Sequence, residues 1–476
     1  MYIDNGDGQN NTPLGSFDTS KILPELLTKL SMQYIKGLYW NSTLHKFEIM
    51  KIGIYKQIIH MISKDTSLAT ITTTTTSNSY LLPGLMDIQI NGFNGIDFNT
   101  LGSLITTNTN DSNTDSDELY QPVISALVTI ATALASHGIT SFIPTLITNP
   151  FSILESAVKA IDYACTHHKL LQSMIKGIHL EGPFISSTNG YRGCHKQEYC
   201  LEPDYTIIKQ LQKVCNNRIC LITLAPELPG SIPFIKQAIQ NNIKIAIGHT
   251  NATDDEIQLA VEAGATLSTH LGNGIASMLP RHPNPIWSQL SHDNLWASII
   301  ADGKHLSDSI LKIILRTKLH NVAIPNDNNN NNEPNPYYSK VILISDAVPL
   351  ANMPPGNYNA DSLGGEVVLS NDQRLYLKND PKLLAGSILT LDKAIEYLLK
   401  ANNILNIIDW EEKLYTIWNL ASYNPSVYLS SVLKQPIGMI TLGSPADIVV
   451  VNIDKVLNNF DIQQVWKEGN ILYEKK

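Results

Sequence analysis

Residues 243–270 read IKIAIGHTNATDDEIQLAVEAGATLSTH, two short apolar runs separated by an amphipathic segment. The amphipathic segment starts after Thr253, and Glu256 three residues later completes the pattern of a capping box at a helix N-terminus. Each apolar run ends at a histidine, His249 and His270. The stretch therefore predicts strand, helix and strand, with an imidazole at the carboxyl end of each strand.

The same pattern extends outward in both directions from this stretch. Near-continuous apolar runs, rich in β-branched residues, occupy residues 174–180, 219–226, 295–301 and 340–347. Runs of this kind are typical of strands buried on both faces of a parallel sheet. Repeated strand and helix over roughly 300 residues predicts a parallel α/β fold. An open dinucleotide-binding sheet is the competing architecture, but no GxGxxG follows the first strand, so we favour a (β/α)8 TIM-like barrel.

The two ends of the chain have a different pattern. Residues 34–62 alternate between apolar and polar, and the tail from residue 443 onward gives short strands with turn signals. We expect a small β-domain built from both termini, with residues 1–80 as its first part, 81–400 as the barrel, and 401–476 as the last helices and its second part. Low-complexity segments at 72–76, 106–118 and 326–336 predict surface loop insertions.

The composition limits the class of protein. The 476 residues include 34 Lys plus Arg and 43 Asp plus Glu, giving a net charge of −9, and 43% are hydrophobic. This hydrophobic fraction excludes wholesale disorder, and an acidic chain without basic blocks argues against nucleic acid as a partner. No run approaches 18 consecutive apolar residues, the start lacks the pattern of a secretory signal, and the five cysteines form no CxxC pair. We expect a soluble cytoplasmic protein without a membrane partner.

Polar residues stand at the ends of four predicted strands. Glu181, His249 and His270 offer one carboxylate and two imidazoles from three strand ends, which is the ligand set of a catalytic metal site with a position left for water. Asp346 ends a fourth strand and could exchange a proton with that water. Each residue also has an ordinary structural interpretation, a hydrogen-bonded core histidine or, for Asp346, a helix cap.

Ordered motifs along most of the chain resemble the N-acetylglucosamine-6-phosphate deacetylase family of the amidohydrolase superfamily. They are LPGLMDIQINGFNGIDF (82–98), GIHLEGPFIS (177–186), GCH (193–195), LAPE (224–227), GHTNAT (248–253), THLGNG (269–274), ADGKH (301–305), ISDAVP (344–349), LAGS (384–387) and GSPADIVVVN (443–452). The resemblance implies a deformed (β/α)8 barrel with a β-sandwich contributed by both termini.

The resemblance also implies roles for individual residues. Glu181, His249 and His270 match the metal ligands and Asp346 matches the general acid/base, while Gln89 and Asn91 replace the first-strand histidine pair of two-metal members. That replacement implies one divalent ion per subunit, and the ligand set suits Zn²⁺. His195 matches the residue that polarises the acetamide carbonyl. Other matched substrate positions are Cys194, Asn273, Gly274, Leu384, Ala385 and Gly386.

Arg281 and His305 match the phosphate-binding pair of the family, with His305 supplied across a homodimer interface. An arginine fork suits a phosphate because it binds two oxygens at once. Two local departures occur here. The family typically has Asn-Ala-Met where this chain has Asn273, Gly274 and Ile275, and His282 next to Arg281 could share its role.

The implied reaction is metal-dependent hydrolysis of the acetamide of N-acetyl-D-glucosamine 6-phosphate, with glucosamine 6-phosphate and acetate as products. Two alternatives stay open at this point. One is a related amidohydrolase that acts on another N-acyl amino sugar or on a cyclic amide. The other is a non-catalytic barrel kept for binding, against which the complete set of Glu181, His249, His270 and Asp346 argues.

Overall fold

A computed structural model describes residues 32–64, 79–105, 116–318 and 339–476, except Gly364, Asn402, Lys434 and Pro436. The predicted loops at 72–76 and 326–336 lie outside these ranges. The predicted loop at 106–118 is too long, because residues 116–118 belong to a helix. Ser-Asp-Glu ahead of an apolar stretch is a typical helix start, so the sequence carried a signal for this boundary.

The first described strands belong to a sheet at one side of the barrel. They are β1 (Gln33–Asn41), β2 (Lys46–Tyr55), β3 (Ile58–Lys64) and β4 (Tyr80–Pro83). β1 pairs antiparallel with β2 and parallel with β4. The alternation in the sequence places Ile35, Ile52 and Ile54 in one buried cluster of this sheet.

The barrel is built from eight parallel strands, and a small hairpin, β6 (Gly92–Phe93) and β7 (Ile96–Asp97), follows the first of them. The barrel strands are β5 (Leu85–Ile90), β8 (Ile139–Ile147), β9 (Ile178–Glu181), β10 (Ile219–Leu224), β11 (Lys244–Ile247), β12 (Leu267–Ser268), β13 (Trp296–Ile299) and β14 (Val341–Leu343). Neighbours in sequence are neighbours in the sheet. The ring closes where Asp346 N donates to Gln89 O at 2.9 Å and Ile90 bridges Ala347 in parallel. The predicted TIM-like barrel is confirmed.

Helices cover the outside of the barrel strands. They are α1 (Ser116–Ala135), α2 (Phe151–His167), α3 (Lys169–Met174), α4 (Tyr205–Val214), α5 (Ser231–Gln240), α6 (Asp254–Ala263), α7 (Pro285–Ser291), α8 (Asp308–Lys318), α9 (Leu391–Lys400), α10 (Trp410–Asn419) and α11 (Tyr423–Tyr428). α6 has the predicted capping box between Thr253 and Glu256. Residues 118–135 of α1 are long and apolar enough to cross a membrane, but Leu127, Ile130 and Leu134 pack in the barrel core.

A four-stranded antiparallel sheet that the sequence analysis did not predict follows β14. Its strands are β15 (Gly356–Ala360), β16 (Gly365–Leu369), β17 (Leu375–Leu377) and β18 (Asp380–Leu384). It has its own apolar cluster, in which Leu363 and Val367 pack with Val348 and Ala385 beside the carboxyl ends of the barrel strands. This sheet therefore borders the face of the barrel where polar strand-end residues converge.

The C-terminal strands return to the first sheet. They are β19 (Ile448–Asp454), β20 (Asn459–Lys467) and β21 (Asn470–Glu474). β19 pairs antiparallel with β4, which gives one hydrogen-bonded order of seven strands, β21-β20-β19-β4-β1-β2-β3. The predicted β-domain built from both termini is confirmed.

Candidate active site

Three candidate metal ligands meet at the carboxyl face of the barrel. Glu181 is the last residue of β9, His249 follows β11 by two residues, and His270 follows β12 by two residues. Glu181 Oε1 lies 3.1 Å from His249 Nε2 and 2.9 Å from His270 Nε2, and the two Nε2 atoms are 3.1 Å apart. All three side chains are buried. Three strand ends that are far apart in sequence thus present three donor atoms to one point.

The electrostatics of this cluster call for a positive charge. Burial alone raises the pKa of Glu181, but the contacts with the His249 and His270 rings outweigh burial and hold that pKa well below its usual range. Burial lowers the pKa of His270, but Glu181 reverses the effect and raises it. A buried carboxylate against two imidazoles is stable only with a proton or a metal cation among them.

The orientation of His249 fits a metal better than a proton. His249 Nδ1 lies 2.9 Å from the carbonyl oxygen of Tyr191, to which it donates. This hydrogen bond leaves the lone pair on Nε2, the nitrogen that faces Glu181 and His270. One carboxylate and two imidazoles so arranged are the donor set of a catalytic zinc site.

Three residues of the cluster have left-handed backbone conformations, with φ of 52° at His249, 31° at His270 and 48° at Asp346. Such conformations cost about 1–3 kcal/mol each for residues with a side chain and persist only where the surroundings enforce them. Here His270 N donates to Ser298 Oγ at 2.8 Å, and Asp346 N donates to Gln89 O. The fold thus stabilises a strained backbone at the same points where the polar side chains converge.

Asp346 is linked to the cluster through the first barrel strand. Gln89 Nε2 donates to Glu181 Oε1 at 2.9 Å and to Asp346 Oδ1 at 3.2 Å, and Asn91 Nδ2 donates to Asp346 Oδ1 at 2.8 Å. Burial and the charge of Glu181 raise the pKa of Asp346 to about 6, against the opposing effects of His270 and Asn91. The two amides therefore hold the two carboxylates in place as hydrogen-bond donors.

His195 lies in the loop after β9 and is buried. Its ring packs edge-on against His249 at 4.5 Å, and its Nδ1 is 2.8 Å from Thr148 Oγ1. Burial, together with the charge of His249, lowers the pKa of His195 to about 3, so its ring is neutral at physiological pH.

A polar layer lies beneath the cluster and positions β9. His179 contacts Thr145 on β8 at 3.2 Å and Thr223 on β10 at 2.8 Å, and Thr223 contacts Thr269 at 2.7 Å. Burial lowers the pKa of His179 to about 4. His179 is thus a neutral, hydrogen-bonded histidine with a structural role, in contrast to the candidate ligand role of His249 and His270.

A cavity of about 80 Å³ brings most of the predicted residues together. Of the predicted site residues, its lining contains Asn91, Glu181, Cys194, His195, His249, His270, Asp346, Ala385 and Gly386. Ser362 and Leu363, next to the unpredicted sheet, border the same cavity. A neighbouring cavity of about 240 Å³ shares Asp97, Asn99 and Cys194 with the first.

Several other predicted residues lie near the cluster but outside that lining. Asn273 Nδ2 donates to the carbonyl oxygen of His270 at 3.3 Å. Gly274 has a φ of 59°, and a methyl group there would come within 2.8 Å of His249 Nδ1. This contact and the positive φ favour glycine at this position. Leu384 is the last residue of β18.

Neither residue of the predicted phosphate pair lines the two cavities. His305 Nδ1 is 2.7 Å from Asp302 Oδ2, and His305 is among the groups that lower the pKa of Asp346. Arg281 is exposed and lines neither cavity. Only His305 of the pair is thus electrostatically connected to the cluster within the chain.

The sequence analysis missed residues that complete the site. Thr148 contacts His195, while Asp97, Asn99 and Ile147 line the cavity. Ile147 ends β8 and Thr148 follows it, so the strand-end rule that selected Glu181 could have selected Thr148. Asp97 and Asn99 lie on the hairpin and turn after β5, where no comparable strand-end pattern marks them in the sequence.

A (β/α)8 barrel with a carboxylate and two histidines at its carboxyl face defines a metal-dependent hydrolase. Residues 80–472 match the amidohydrolase family, which is most of the chain. The chain therefore belongs to the amidohydrolase family.

The chain is also similar to individual proteins of known name. The chain is 28% identical over 398 residues to an N-acetylglucosamine-6-phosphate deacetylase of Lysinibacillus sphaericus, covering 83% of this chain and 86% of that one. It is 26% identical over 337 residues to an N-acetylgalactosamine-6-phosphate deacetylase of Escherichia coli O157:H7, covering 71% and 78%. The crystal structure of N-acetyl-D-glucosamine-6-phosphate deacetylase from Mycobacterium smegmatis superposes with a TM-score of 0.72 at 21% identity, over 93% of this chain and 100% of that one.

Proposed function

We propose that this chain hydrolyses the acetamide of N-acetyl-D-glucosamine 6-phosphate to glucosamine 6-phosphate and acetate. One observation carries the proposal: Glu181, His249 and His270 converge within 3.1 Å of one another, and Gln89 joins them to Asp346 in one cavity. Several relatives that match most of this chain are named as deacetylases of 6-phosphorylated N-acetyl amino sugars. We infer the substrate class from these relatives and the mechanism from the geometry of the site.

Glu181, His249 and His270 would hold one divalent ion per subunit, which we propose to be Zn²⁺. A bound divalent cation supplies Lewis acidity, which acidifies a water and polarises the acetyl carbonyl. Gln89 and Asn91 are poor ligands beside an imidazole, and both amides are already used to donate to carboxylates. Their donor role supports a site with one tightly held ion.

Asp346 is the proposed general base and acid. Its carboxylate takes a proton from the attacking water as the water oxygen bonds to the acetyl carbon. The protonated carboxyl then gives that proton to the amine nitrogen as the C–N bond breaks, which leaves acetate and the free amino sugar. A pKa raised to about 6 by burial suits a group that accepts and then returns a proton near neutral pH.

His195 is the proposed donor to the carbonyl oxygen as negative charge develops on it. The ring is neutral and fixed, so it donates without first having to ionise or reorient. Cys194, Asn273, Gly274, Leu384, Ala385 and Gly386 are proposed to contact the sugar around this centre.

Arg281 and His305 are proposed to bind the 6-phosphate in a homodimer, with Arg281, instead of the expected His305, contributed by the second subunit. Arg281 is exposed, whereas the side chain of His305 is largely buried and its charge acts on Asp346 within the same chain, which supports Arg281 as the residue that crosses the interface. We propose a cytoplasmic location, and all five cysteines are free, as is usual in a reducing compartment.

Acetate release tests the reaction. The full chain loaded with zinc is given N-acetylglucosamine 6-phosphate, its galactosamine isomer and unphosphorylated N-acetylglucosamine. We expect one acetate and one free amine per turnover, with the first compound giving the highest kcat/KM. A higher kcat/KM for another N-acyl sugar would make that sugar the assigned substrate. No acetate from any of them would favour the cyclic-amide alternative or the binding barrel.

A further inference from the structure

The hydroxyl group of Thr148 lies 2.8 Å from Nδ1 of the His195 ring. We propose that Thr148 is a positioning residue that fixes the tautomer of His195, so that the ring proton is on Nε2 and faces the scissile carbonyl. This inference rests on the proposed role of His195 as the donor to that carbonyl. In a neutral imidazole only one nitrogen carries a proton, so the partner of Nδ1 decides what Nε2 can do.

Thr148 Oγ1 has two polar neighbours to which it can donate its single proton. His195 Nδ1 is 2.8 Å away and the carbonyl oxygen of Glu181 is 3.4 Å away. Hydroxyl hydrogen bonds are strongest near 2.7–2.8 Å and weak at about 3.4 Å. The contact with Nδ1 is therefore the stronger of the two, and we infer that the hydroxyl proton is directed to it. His195 Nε2 has no hydrogen-bond partner among the described residues, and the side chain lines the cavity together with Asp346.

Neighbouring residues restrict the position of the Thr148 hydroxyl group. A side-chain carbon at Gly182 would lie 2.2 Å from Thr148 Oγ1, so any residue larger than glycine would displace it. Thr148 itself is buried, and it directly follows β8, a rigid barrel strand. The backbone of His195 is held as well, because Arg192 donates to its carbonyl oxygen at 2.8 Å. The ring is thus held from its backbone and from Nδ1.

The tautomer matters because the opposite arrangement would reverse the role of His195. With the proton on Nδ1, a lone pair on Nε2 would face the carbonyl oxygen, which carries growing negative charge in the transition state. A partner that fixes a catalytic histidine in its working tautomer can be worth up to about 10⁴-fold in kcat. A threonine bond is weaker than a carboxylate bond, so we expect a loss of about 10- to 100-fold.

The tautomer can be observed directly by nitrogen NMR on the zinc-loaded full chain labelled with ¹⁵N. The His195 signals are identified as those missing from His195→Gln. We expect a protonated, pyrrole-type Nε2 and an unprotonated, pyridine-type Nδ1 in the wild type and in Thr148→Ser. A protonated Nδ1 in the wild type would overturn the inference. This measurement does not depend on turnover, so it stands apart from the test of the proposed function.

Steady-state kinetics of Thr148 variants provide a second test of the proposed role. Thr148→Val replaces the hydroxyl group by a methyl group of similar size and should lower kcat about 10- to 100-fold with little change in KM. Thr148→Ser keeps the hydroxyl group and should stay within about threefold of the wild type. Thr140→Val is the matched control, since Thr140 is equally buried at the opposite end of β8. Equal losses in the Val and Ser variants, or full activity in Thr148→Val, would assign Thr148 to packing alone.

Discussion

The Nε2 atoms of His249 and His270 lie 3.1 Å apart, each within 3.1 Å of the same carboxylate oxygen of Glu181. With a lone pair on each Nε2, the two imidazoles repel each other at this distance unless a positive charge lies between them. Because Tyr191 fixes the proton of His249 on Nδ1, that charge is best supplied by a cation shared by all three residues.

Metal content and stability test this relationship. The full chain should bind about one divalent ion, and free metal at about 100 times its Kd should raise the free energy of unfolding by about 3 kcal/mol. Glu181→Gln should lose both the ion and the added stability. His60→Ala, an exposed histidine on β3, should keep both. Metal counting and urea unfolding with and without a chelator measure the two effects, and an ion retained in full by Glu181→Gln would reject the assigned ligand set.

The pH dependence of kcat/KM tests the environment of Asp346. Its pKa is raised to about 6, and only the ionised carboxylate can act as a base, so kcat/KM should fall as the pH drops through about 6 or somewhat lower when a cation is bound. Asn91 donates to this carboxylate and stabilises its ionised form. Asn91→Ala should therefore shift the acidic limb upward. A limb that stays in place would mean that another group controls it.

Asp87, at the foot of the same polar strand face, makes a prediction about stability. Burial raises its pKa from 3.8 to about 7, against hydrogen bonds from Ser345 and Gln89. Folding thus favours the protonated form. The stabilising effect of that proton is complete below about pH 4 and is lost as the pH rises through about 7, a total of about 4 kcal/mol.

Asp87→Asn should remove this dependence, because its amide resembles the protonated acid. Relative to the wild type, the variant should gain roughly 3 kcal/mol between about pH 5 and pH 8. Urea unfolding at both values measures it. A constant difference between the two proteins would show that Asp87 keeps its ordinary pKa.

Arg281 is expected to serve the phosphate alone. Arg281→Ala should raise KM for the 6-phosphorylated sugar about 10- to 100-fold, the value of a charge-assisted hydrogen bond, and leave the unphosphorylated sugar little changed. His282→Ala, at the exposed neighbouring position, shows whether the two residues share the role. An equal effect of Arg281→Ala on both sugars would assign Arg281 to structure.

Much of the fold and the cluster could be predicted from the sequence because barrel geometry converts position along the chain into position in space. Apolar runs ending in Glu181, His249, His270 and Asp346 had to bring these residues to one face, since parallel strands share a direction. The family resemblance then added roles for residues such as His195 that lie in loops and follow no periodicity.

Other parts of the site could not be predicted because they depend on contacts between distant segments. The sheet β15–β18 follows β14 as short strands, and its outer strands β15 and β18 consist mostly of exposed residues without a clear apolar pattern. The contact of Thr148 with His195 spans 47 residues and depends on the absence of a side chain at Gly182. Local secondary-structure propensities cannot predict contacts between residues that are far apart in sequence.

The central claim is that Asp346 and the ion-binding cluster together hydrolyse the acetamide. Its most direct test is Asp346→Asn, with acetate release from N-acetylglucosamine 6-phosphate and metal content measured on the same zinc-loaded preparation. Loss of a general acid/base predicts a fall in kcat of about 10²- to 10⁴-fold with the metal retained. Near-wild-type acetate release from a metal-loaded Asp346→Asn would contradict the account.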